Sequence, residues 1–76
     1  MTKKEFIDRV KSLISCITFE YHGMDCGVDP LSKDDFDVWC GDNLVNVKSV
    51  DEVMNLKIFD GNPLDMIFGE IVNLDY

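Results

Sequence analysis

The chain has 76 residues, of which 46% are hydrophobic and 11% aromatic, and it carries a net charge of −8. A chain of this length forms a single domain, residues 1–76, and buries only about 60% of the surface that its unfolded state exposes, which argues against a large catalytic cleft. The excess of acid argues against direct binding to nucleic acid or to anionic membranes, because affinity for phosphate depends on clustered Lys and Arg.

The sequence predicts a cytoplasmic protein. No apolar run approaches the roughly 18 to 20 residues needed to span a bilayer. Charged residues also interrupt the amino-terminal segment where a signal peptide requires an apolar core. The three cysteines, Cys16, Cys26 and Cys40, agree with this compartment, since an odd number cannot all pair internally and cytosolic thiols stay reduced.

The amino-terminal segment predicts an amphipathic helix. Thr2 followed by Glu5 forms a capping box, in which each side chain bonds the backbone N–H of the other residue. Behind the cap, apolar residues recur at spacings of three and four and form one stripe. These residues are Phe6, Ile7, Val10, Leu13, Ile14 and Ile17.

Two patterns follow the helix. Residues 17–22 alternate apolar and polar side chains, which predicts a short strand, although a continuation of the first helix to Phe19 is the alternative. Residues 23–35, GMDCGVDPLSKDD, contain two glycines, a proline and four aspartates. Because these residues interrupt both periodicities, they predict a loop.

Residues 36–49, FDVWCGDNLVNVKS, predict a β-hairpin with a turn centred on Asp42-Asn43. This register places apolar residues opposite apolar residues and opposite charges across the ladder. The predicted pairs are Cys40–Val45, Val38–Val47 and Phe36–Ser49 on one face, and Trp39–Asn46 and Asp37–Lys48 on the other. Trp39, the one tryptophan of the chain, therefore lies on the face away from the obvious core.

Two helices are predicted after the hairpin. Ser49 and Glu52 form a capping box for the first of them, and Asn62 with Pro63 begins the second. The fold class is therefore α+β: an amino-terminal amphipathic helix, a small antiparallel hairpin or three-stranded sheet, and two carboxy-terminal helices, with helix as the larger component. The predicted core is Phe6, Val10, Leu13, Ile14, Phe36, Val38, Val47, Val53, Leu64, Ile67, Phe68 and Ile71.

The sequence offers little support for a metal site or for catalysis. Cys16, His22, Cys26 and Cys40 are zinc-type ligands, but they lack the CxxC spacing of structural zinc sites. A Cys26 nucleophile with His22 as its base is the one catalytic pair that the chain suggests, and no recognised catalytic motif accompanies it. We therefore expect no catalytic residues, no metal and no cofactor, and we predict that the protein is not an enzyme.

The candidate partner-binding residues are acidic residues of the predicted loop and hairpin, together with Trp39. Six aspartates and one lysine between Asp25 and Asp42 give this segment a charge of −5, which either keeps a small protein soluble or attracts a basic partner. Trp39 is either a core residue under a helix or an exposed interface anchor. The candidates are Trp39, Asp37, Asp34, Asp35, Asp29, Asp42 and Asn46.

Two functions are consistent with these patterns. The first is a small regulatory module that binds a protein partner, with a basic partner favoured by charge, and acts by binding rather than by catalysis. The alternative is an acidic nucleic-acid mimic that inhibits a DNA- or RNA-binding protein. A homodimer through an unpaired hairpin edge at residues 44–48 is a further expectation.

Overall fold

One antiparallel sheet of five strands forms most of the regular structure. The computed structural model describes residues 2–12 and 16–76. In chain order the elements are α1 (Lys3–Lys11), β1 (Ile17–Tyr21), β2 (Met24–Ser32), β3 (Asp35–Cys40), β4 (Asn43–Val47), α2 (Val50–Asn55), α3 (Leu64–Ile67), a 3₁₀ turn (Phe68–Glu70) and β5 (Val72–Asp75). Strand residues outnumber helical residues, so the prediction that helix is the larger component is wrong.

The strands lie in the order β4-β3-β2-β1-β5. The first four strands are joined by short connections and form a meander, while α2 and α3 carry the chain back to the other edge, where β5 pairs with β1. The β1–β2 turn consists of His22 and Gly23, both with positive φ, as a type I′ hairpin turn requires. This topology makes β2 an interior strand and β4 an edge strand.

The core lies on the face of the sheet that carries the helices. Alternate residues of each strand point toward this inner face, and α1 and α2 contact β2 and β3. Phe6 of α1 makes edge-to-face contacts with Phe19 of β1 and with Phe68. Such contacts add to the stabilisation that burial of the rings supplies. The opposite, outer face of the sheet carries no helix in the part of the chain that the structure describes.

The amino-terminal prediction is confirmed over the described residues. Thr2 Oγ1 accepts from the Glu5 N–H at 3.1 Å, and Glu5 Oε1 accepts from the Thr2 N–H at 3.2 Å, which completes the capping box. These bonds, led by the one from the Thr2 backbone, hold the pKa of Glu5 below its usual value. Leu13 and Ile14 of the predicted stripe lie outside the described residues. Ile17 belongs to β1, so the predicted strand is confirmed for residues 17–21, and the continued helix is wrong. His22 lies in the turn that follows.

The predicted loop at residues 23–35 is wrong, because β2 occupies most of it. Asp25 and Asp29 alternate with the buried Cys26 and Val28, so period-two alternation is present in spite of the strand-breaking composition. Pro30 lies beside a register irregularity of β2 with β3, which is where a strand tolerates proline. The predicted three-stranded sheet is consequently a five-stranded sheet.

The prediction of two carboxy-terminal helices that close the core is wrong, because α2 has only six residues and α3 only four. The Ser49 side chain caps α2, accepting from the Glu52 N–H at 3.1 Å. Asn62 does not cap the second helix, because its backbone pairs with Phe59 in an isolated bridge, and the cap position belongs to Pro63. That helix ends at Ile67, and the residues after the 3₁₀ turn form β5 instead of a longer helix.

The predicted hairpin exists, but its register differs by two residues. The observed pairs are Phe36–Val47, Asp37–Asn46, Val38–Val45, Trp39–Leu44 and Cys40–Asn43. The turn is Gly41-Asp42, because Gly41 with φ of 61° supplies the positive φ that the first turn position requires. A two-residue shift keeps every side chain on its predicted face. The prediction that Trp39 lies on the other face of the sheet from Val38 and Val45 is therefore confirmed.

The core prediction is largely confirmed. Eight predicted residues are buried: Phe6, Val10, Phe36, Val38, Val47, Val53, Leu64 and Ile67. Phe68 and Ile71 are only partly buried and pack against the core. The core also contains residues from strands that were not predicted, among them Cys26 and Val28.

The helices of the described ranges are short. The longest helix of the described ranges, α1, has nine residues. None of the helices in residues 2–12 and 16–76 combines the length and the apolar character needed to cross a bilayer.

The assignment of β2 as an interior strand can be tested with a matched pair of substitutions. Val28 is fully buried, whereas Leu31 of the same strand is 53% exposed. We expect Val28→Ala to lower the free energy of unfolding by about 2 kcal/mol, because two buried methyl groups are removed and a cavity remains. Leu31→Ala should change it by less than about 0.5 kcal/mol. Urea unfolding measures both changes in the free energy of unfolding. A small change of equal size in the two variants would contradict the assignment of β2 as an interior strand.

Candidate functional site

The outer face of the sheet is the candidate site. It is formed by the strand residues that alternate with the buried ones and point away from the helices. Its residues are Thr18 and Glu20 of β1, Asp25, Gly27 and Asp29 of β2, Asp35, Asp37 and Trp39 of β3, and Leu44 and Asn46 of β4. Within the described part of the chain no other element covers these residues, and all of them except Gly27 are at least partly exposed.

Trp39 lies across the middle of the outer face. It pairs with Gly27 on β2 and with Leu44 on β4, and Gly27 in turn pairs with Thr18 on β1. A Cβ atom added to Gly27 would overlap Cζ2 of Trp39, so the indole rests directly on the glycine backbone. This contact explains how Trp39 is half-buried on a face that carries no helix. Trp39 is therefore neither a core residue under a helix nor a fully exposed side chain.

A shallow concavity of about 200 Å³ lies beside Trp39 on the outer face. Thr18, Glu20, Asp25 and Asn73 line it together with Trp39. Its volume is below the roughly 300 to 1,000 Å³ of sites that enclose small-molecule ligands. Its size and its open form therefore suit one long side chain of a partner rather than a free metabolite.

Two pairs of like charges face each other across the strands. Glu20 of β1 pairs with Asp25 of β2, and Asp29 of β2 pairs with Asp37 of β3. Directly opposed like charges destabilise a sheet by a few tenths of a kcal/mol or more. In the described ranges, none of these four carboxylates forms an ion pair. A cation supplied from outside would therefore relieve repulsion at both pairs.

Asn46 organises the acidic groups near the β4 edge. Its side-chain amide donates to Asp35 Oδ1 at 2.6 Å and to Asp37 Oδ1 at 2.8 Å. Its carbonyl oxygen accepts from Lys48 Nζ at 2.8 Å, and Lys48 also lies 3.5 Å from Asp35. The bond from Asn46 holds the pKa of Asp35 below its usual value, and the charge of Lys48 acts in the same direction. The carboxylate of Asp35 is therefore stabilised in its ionised form.

Positive charge is concentrated on the other layer of the molecule. Lys3, Lys4, Arg9 and Lys11 all belong to α1, which packs on the inner face of the sheet. Lys3 forms an ion pair of 3.1 Å with Asp65 of α3, within the helical layer. The basic residues of α1 therefore do not neutralise the carboxylates of the outer face.

The structure brings only some of the predicted site residues together. Trp39, Asp37, Asp35, Asp29 and Asn46 share the outer face. Asp34 lies in the β2–β3 turn and Asp42 in the β3–β4 turn, at opposite ends of β3.

Five residues of the outer face are absent from the predicted candidates: Gly27, Glu20, Asp25, Thr18 and Leu44. Recognition of β2 would have identified the first three. Glu20 and Asp25 are equally spaced on either side of the His22-Gly23 turn, which is a signal for a cross-strand pair. The observed register of β4 brings Leu44 opposite Trp39, a position that the predicted register gave to Asn46.

The residues considered for zinc or catalysis do not form one site. His22 is exposed in the β1–β2 turn, where Nδ1 lies 3.6 Å from Asp60 and Nε2 lies 3.9 Å from Glu70. Cys26 points into the core, and Cys16 is exposed before β1. Among the residues that the structure describes, no group of three or more His, Cys, Asp or Glu side chains is placed to hold a metal ion.

Comparison with known proteins gives no relative from which a function can be transferred. No protein-family model matches the chain, and neither the curated proteins nor the solved structures contain a match. The geometry of the outer face is therefore the basis for assigning a function.

The contact between Trp39 and Gly27 can be tested by adding the missing methyl group. In Gly27→Ala the new Cβ would occupy the position of the indole, so the ring must swing into solvent. We expect the tryptophan emission to shift to longer wavelength and iodide to quench it more readily. Gly69→Ala is the matched control, because an added Cβ there has no atom of the described residues within 4 Å. An unchanged emission spectrum in Gly27→Ala would contradict the contact.

The role of Asn46 can be tested by titration. The pKa of Asp35 is lower in the folded protein than its ordinary value of 3.8. Its carboxylate therefore stabilises the fold at pH values above 3.8, and this contribution is lost as the pH falls through the folded-state pKa. We expect Asn46→Ala to raise the pKa of Asp35 and to make acid destabilisation shallower in that range. Titration of the carboxyl carbon by NMR measures the pKa, with Asn43→Ala as control. Identical titration of Asp35 in both variants would contradict the assignment.

Proposed function

We propose that the protein works by binding a basic segment of a partner protein through the outer face of its sheet. The observation that carries this proposal is the concavity that Trp39 shares with Glu20 and Asp25. A Lys or Arg side chain seated there contacts the face of an indole and two unpaired carboxylates at once. Cation–π attraction and charge-assisted hydrogen bonds both favour such an occupant, and Arg more than Lys because its planar group stacks on rings.

The remaining outer face supports an extended basic segment. Asp29 and Asp37 lie on one side of Trp39 along the strands, while Glu20 and Asp25 lie on the other, so acidic pairs flank a central aromatic side chain. Leu44, which is 64% exposed, extends the apolar contact toward the β4 edge. An aromatic anchor with charged surroundings is the usual composition of a binding hot spot.

The size of the face favours a short segment over a large docking domain. Five strands about 4.8 Å apart and about 20 Å long present roughly 400 Å², half of the about 800 Å² that each partner contributes to a standard interface. Interfaces of this size belong to transient or regulatory contacts. A cytoplasmic module that regulates its partner by binding, without catalysis, therefore remains the function that we propose.

The alternative function, a mimic of nucleic acid, is less consistent with the composition of the outer face. A phosphate mimic requires regularly spaced negative charge. Here the row formed by Leu44, Trp39, Gly27 and Thr18 interrupts the acidic pairs with uncharged residues. The apolar side chains of Leu44 and Trp39 in this row favour a protein segment that carries both a basic and an apolar side chain.

The seat for a basic side chain can be tested with a defined probe. A short peptide with blocked termini, in which arginine is the one charged residue, is titrated into ¹⁵N-labelled protein. The same peptide with citrulline, which has the shape of arginine without its charge, is the control. We expect the arginine peptide at millimolar concentration to shift the indole N–H signal of Trp39. The citrulline peptide should shift this signal several-fold less, because citrulline cannot neutralise the charges of Glu20 and Asp25. Equal shifts from the two peptides would contradict the proposal.

A matched pair of variants distinguishes a specific binding site from non-specific electrostatic attraction of the arginine peptide. Glu20→Gln/Asp25→Asn removes two charges from the concavity, whereas Asp8→Asn/Asp51→Asn removes two exposed charges from the helical layer. We expect only the Glu20→Gln/Asp25→Asn variant to lose the shift of the Trp39 indole N–H signal. An equal loss of this shift in both variants would contradict a specific site. Partners captured from native lysate should show the same dependence and dissociate in moderate salt. Displacement of such a partner by added nucleic acid would favour the mimic instead.

A further inference from the structure

Two cysteines on the inner face of the sheet lie directly opposite each other. Cys26 of β2 pairs with Cys40 of β3, both are 1% exposed, and their Sγ atoms are 3.2 Å apart. The Gly41 N–H donates to the Asp25 carbonyl oxygen at 2.9 Å, just outside the pair. A bond in that position defines Cys26 and Cys40 as a non-hydrogen-bonded pair, the kind in which facing side chains approach most closely.

The backbone spacing of such a pair suits a disulfide. Cα atoms of non-hydrogen-bonded pairs are about 4.5 Å apart, within the roughly 4.4 to 6.8 Å that disulfides span. The two side chains leave neighbouring strands on the same face, so their Cβ atoms point to the same side of the sheet. Little backbone movement is therefore needed to join the sulfur atoms.

The reduced thiols are shielded from solvent. The Cys26 thiol donates to Cys40 Sγ, and Cys40 lies 3.9 Å from Sδ of the half-buried Met24. Burial and the contact with Cys40 raise the pKa of Cys26 to about 12. Since the thiolate is the nucleophile in thiol–disulfide exchange, the folded reduced pair reacts slowly, and exchange requires transient opening of the strands or occurs during folding.

We propose that Cys26 and Cys40 form a redox pair that a low-molecular-weight disulfide, such as oxidised glutathione, converts to an intramolecular disulfide joining β2 to β3. In the first step, the thiolate of one cysteine attacks the glutathione disulfide, forms a mixed disulfide and releases one reduced glutathione. In the second step, the other cysteine loses its proton and attacks the mixed disulfide, which releases the second glutathione. The protein loses two protons and two electrons, and the glutathione disulfide takes them up as it becomes two thiols.

Cys16 is a different kind of thiol. It is exposed and precedes β1, whereas the other two cysteines are buried opposite each other. An exposed thiol forms a mixed disulfide with oxidised glutathione and releases one reduced glutathione, so Cys16 would obscure the mass change of the pair. Cys16→Ser is therefore the background for the experiment, and it removes no group of the proposed pair.

The test compares disulfide formation in the folded and unfolded chain. Full-length Cys16→Ser protein is diluted from urea into buffers of oxidised and reduced glutathione, which removes the kinetic barrier of burial, and a parallel sample stays in urea. Mass spectrometry counts the loss of two hydrogens and identifies the peptide that joins Cys26 to Cys40. If the fold favours the bond, the equilibrium constant for its formation should be roughly 100-fold larger in the folded protein. This factor follows from closing a loop of about 15 residues.

The oxidised protein should also unfold at higher temperature, by roughly 10 to 20 °C. Equal or smaller equilibrium constants in the folded protein, or mixed glutathione adducts on Cys26 or Cys40 without loss of two hydrogens, would overturn the proposal. Cys40→Ala provides a check on assignment, because it leaves Cys26 able to form only the mixed adduct.

Discussion

The outer face depends on the contact between the Trp39 indole and the Gly27 backbone. A large apolar ring on an uncovered sheet face would normally project into solvent, and only a residue without a Cβ atom lets it lie flat against the neighbouring strand. The flat indole forms one wall of the concavity, and the carboxylates of Glu20 and Asp25 complete it. A single missing methyl group on β2 therefore allows a surface tryptophan to become part of a site.

The parts of the fold that depend on local signals were predictable from the sequence. The Thr2 cap, the α1 stripe and the Ser49 cap all involve residues within four positions of each other, so the pattern contains the whole interaction. The faces of the 36–47 hairpin were also predictable, because alternation survives a two-residue error in register. The turn itself was not, since both Gly41-Asp42 and Asp42-Asn43 contain suitable residues, and only the positive φ of Gly41 distinguishes them.

β2 could not be predicted from local signals, because the reasons for its composition lie on other strands. Gly27 reads as a strand breaker until Trp39 is placed on top of it, and Pro30 reads as a loop residue until the irregular pairing with β3 is known. The candidate site shares this property. Glu20, Asp25 and Trp39 belong to three strands, and their proximity follows from the pairing of β2 on both sides. The acidic composition indicated the correct region of the chain but included turn residues such as Asp34 and Asp42.

The two faces of the sheet differ in the charge that they carry. The buried side chains of the inner face are all apolar residues, tyrosine or cysteine, whereas the outer face places like charges directly opposite each other at two positions. Each opposed pair lowers stability by an estimated few tenths of a kcal/mol, against a total of about 5 to 15 kcal/mol for a small domain. Burial on the inner face can offset that cost, but the fold gains nothing from it. Repulsion that folding does not require is consistent with a surface shaped for binding a cation.

The inner and outer faces are nevertheless connected through the same two strands. Cys26 and Gly27 are adjacent in β2, and Trp39 and Cys40 are adjacent in β3, so the thiol pair and the indole contact occupy consecutive rungs of one ladder on opposite sides of the sheet. The distance between the strands at one rung constrains the distance at the next, because backbone hydrogen bonds join them. A covalent link between the sulfur atoms would therefore hold the strands together next to Gly27 and limit how far the indole can move. The chemistry of the buried face and the geometry of the binding face thus depend on the same pairing of β2 with β3.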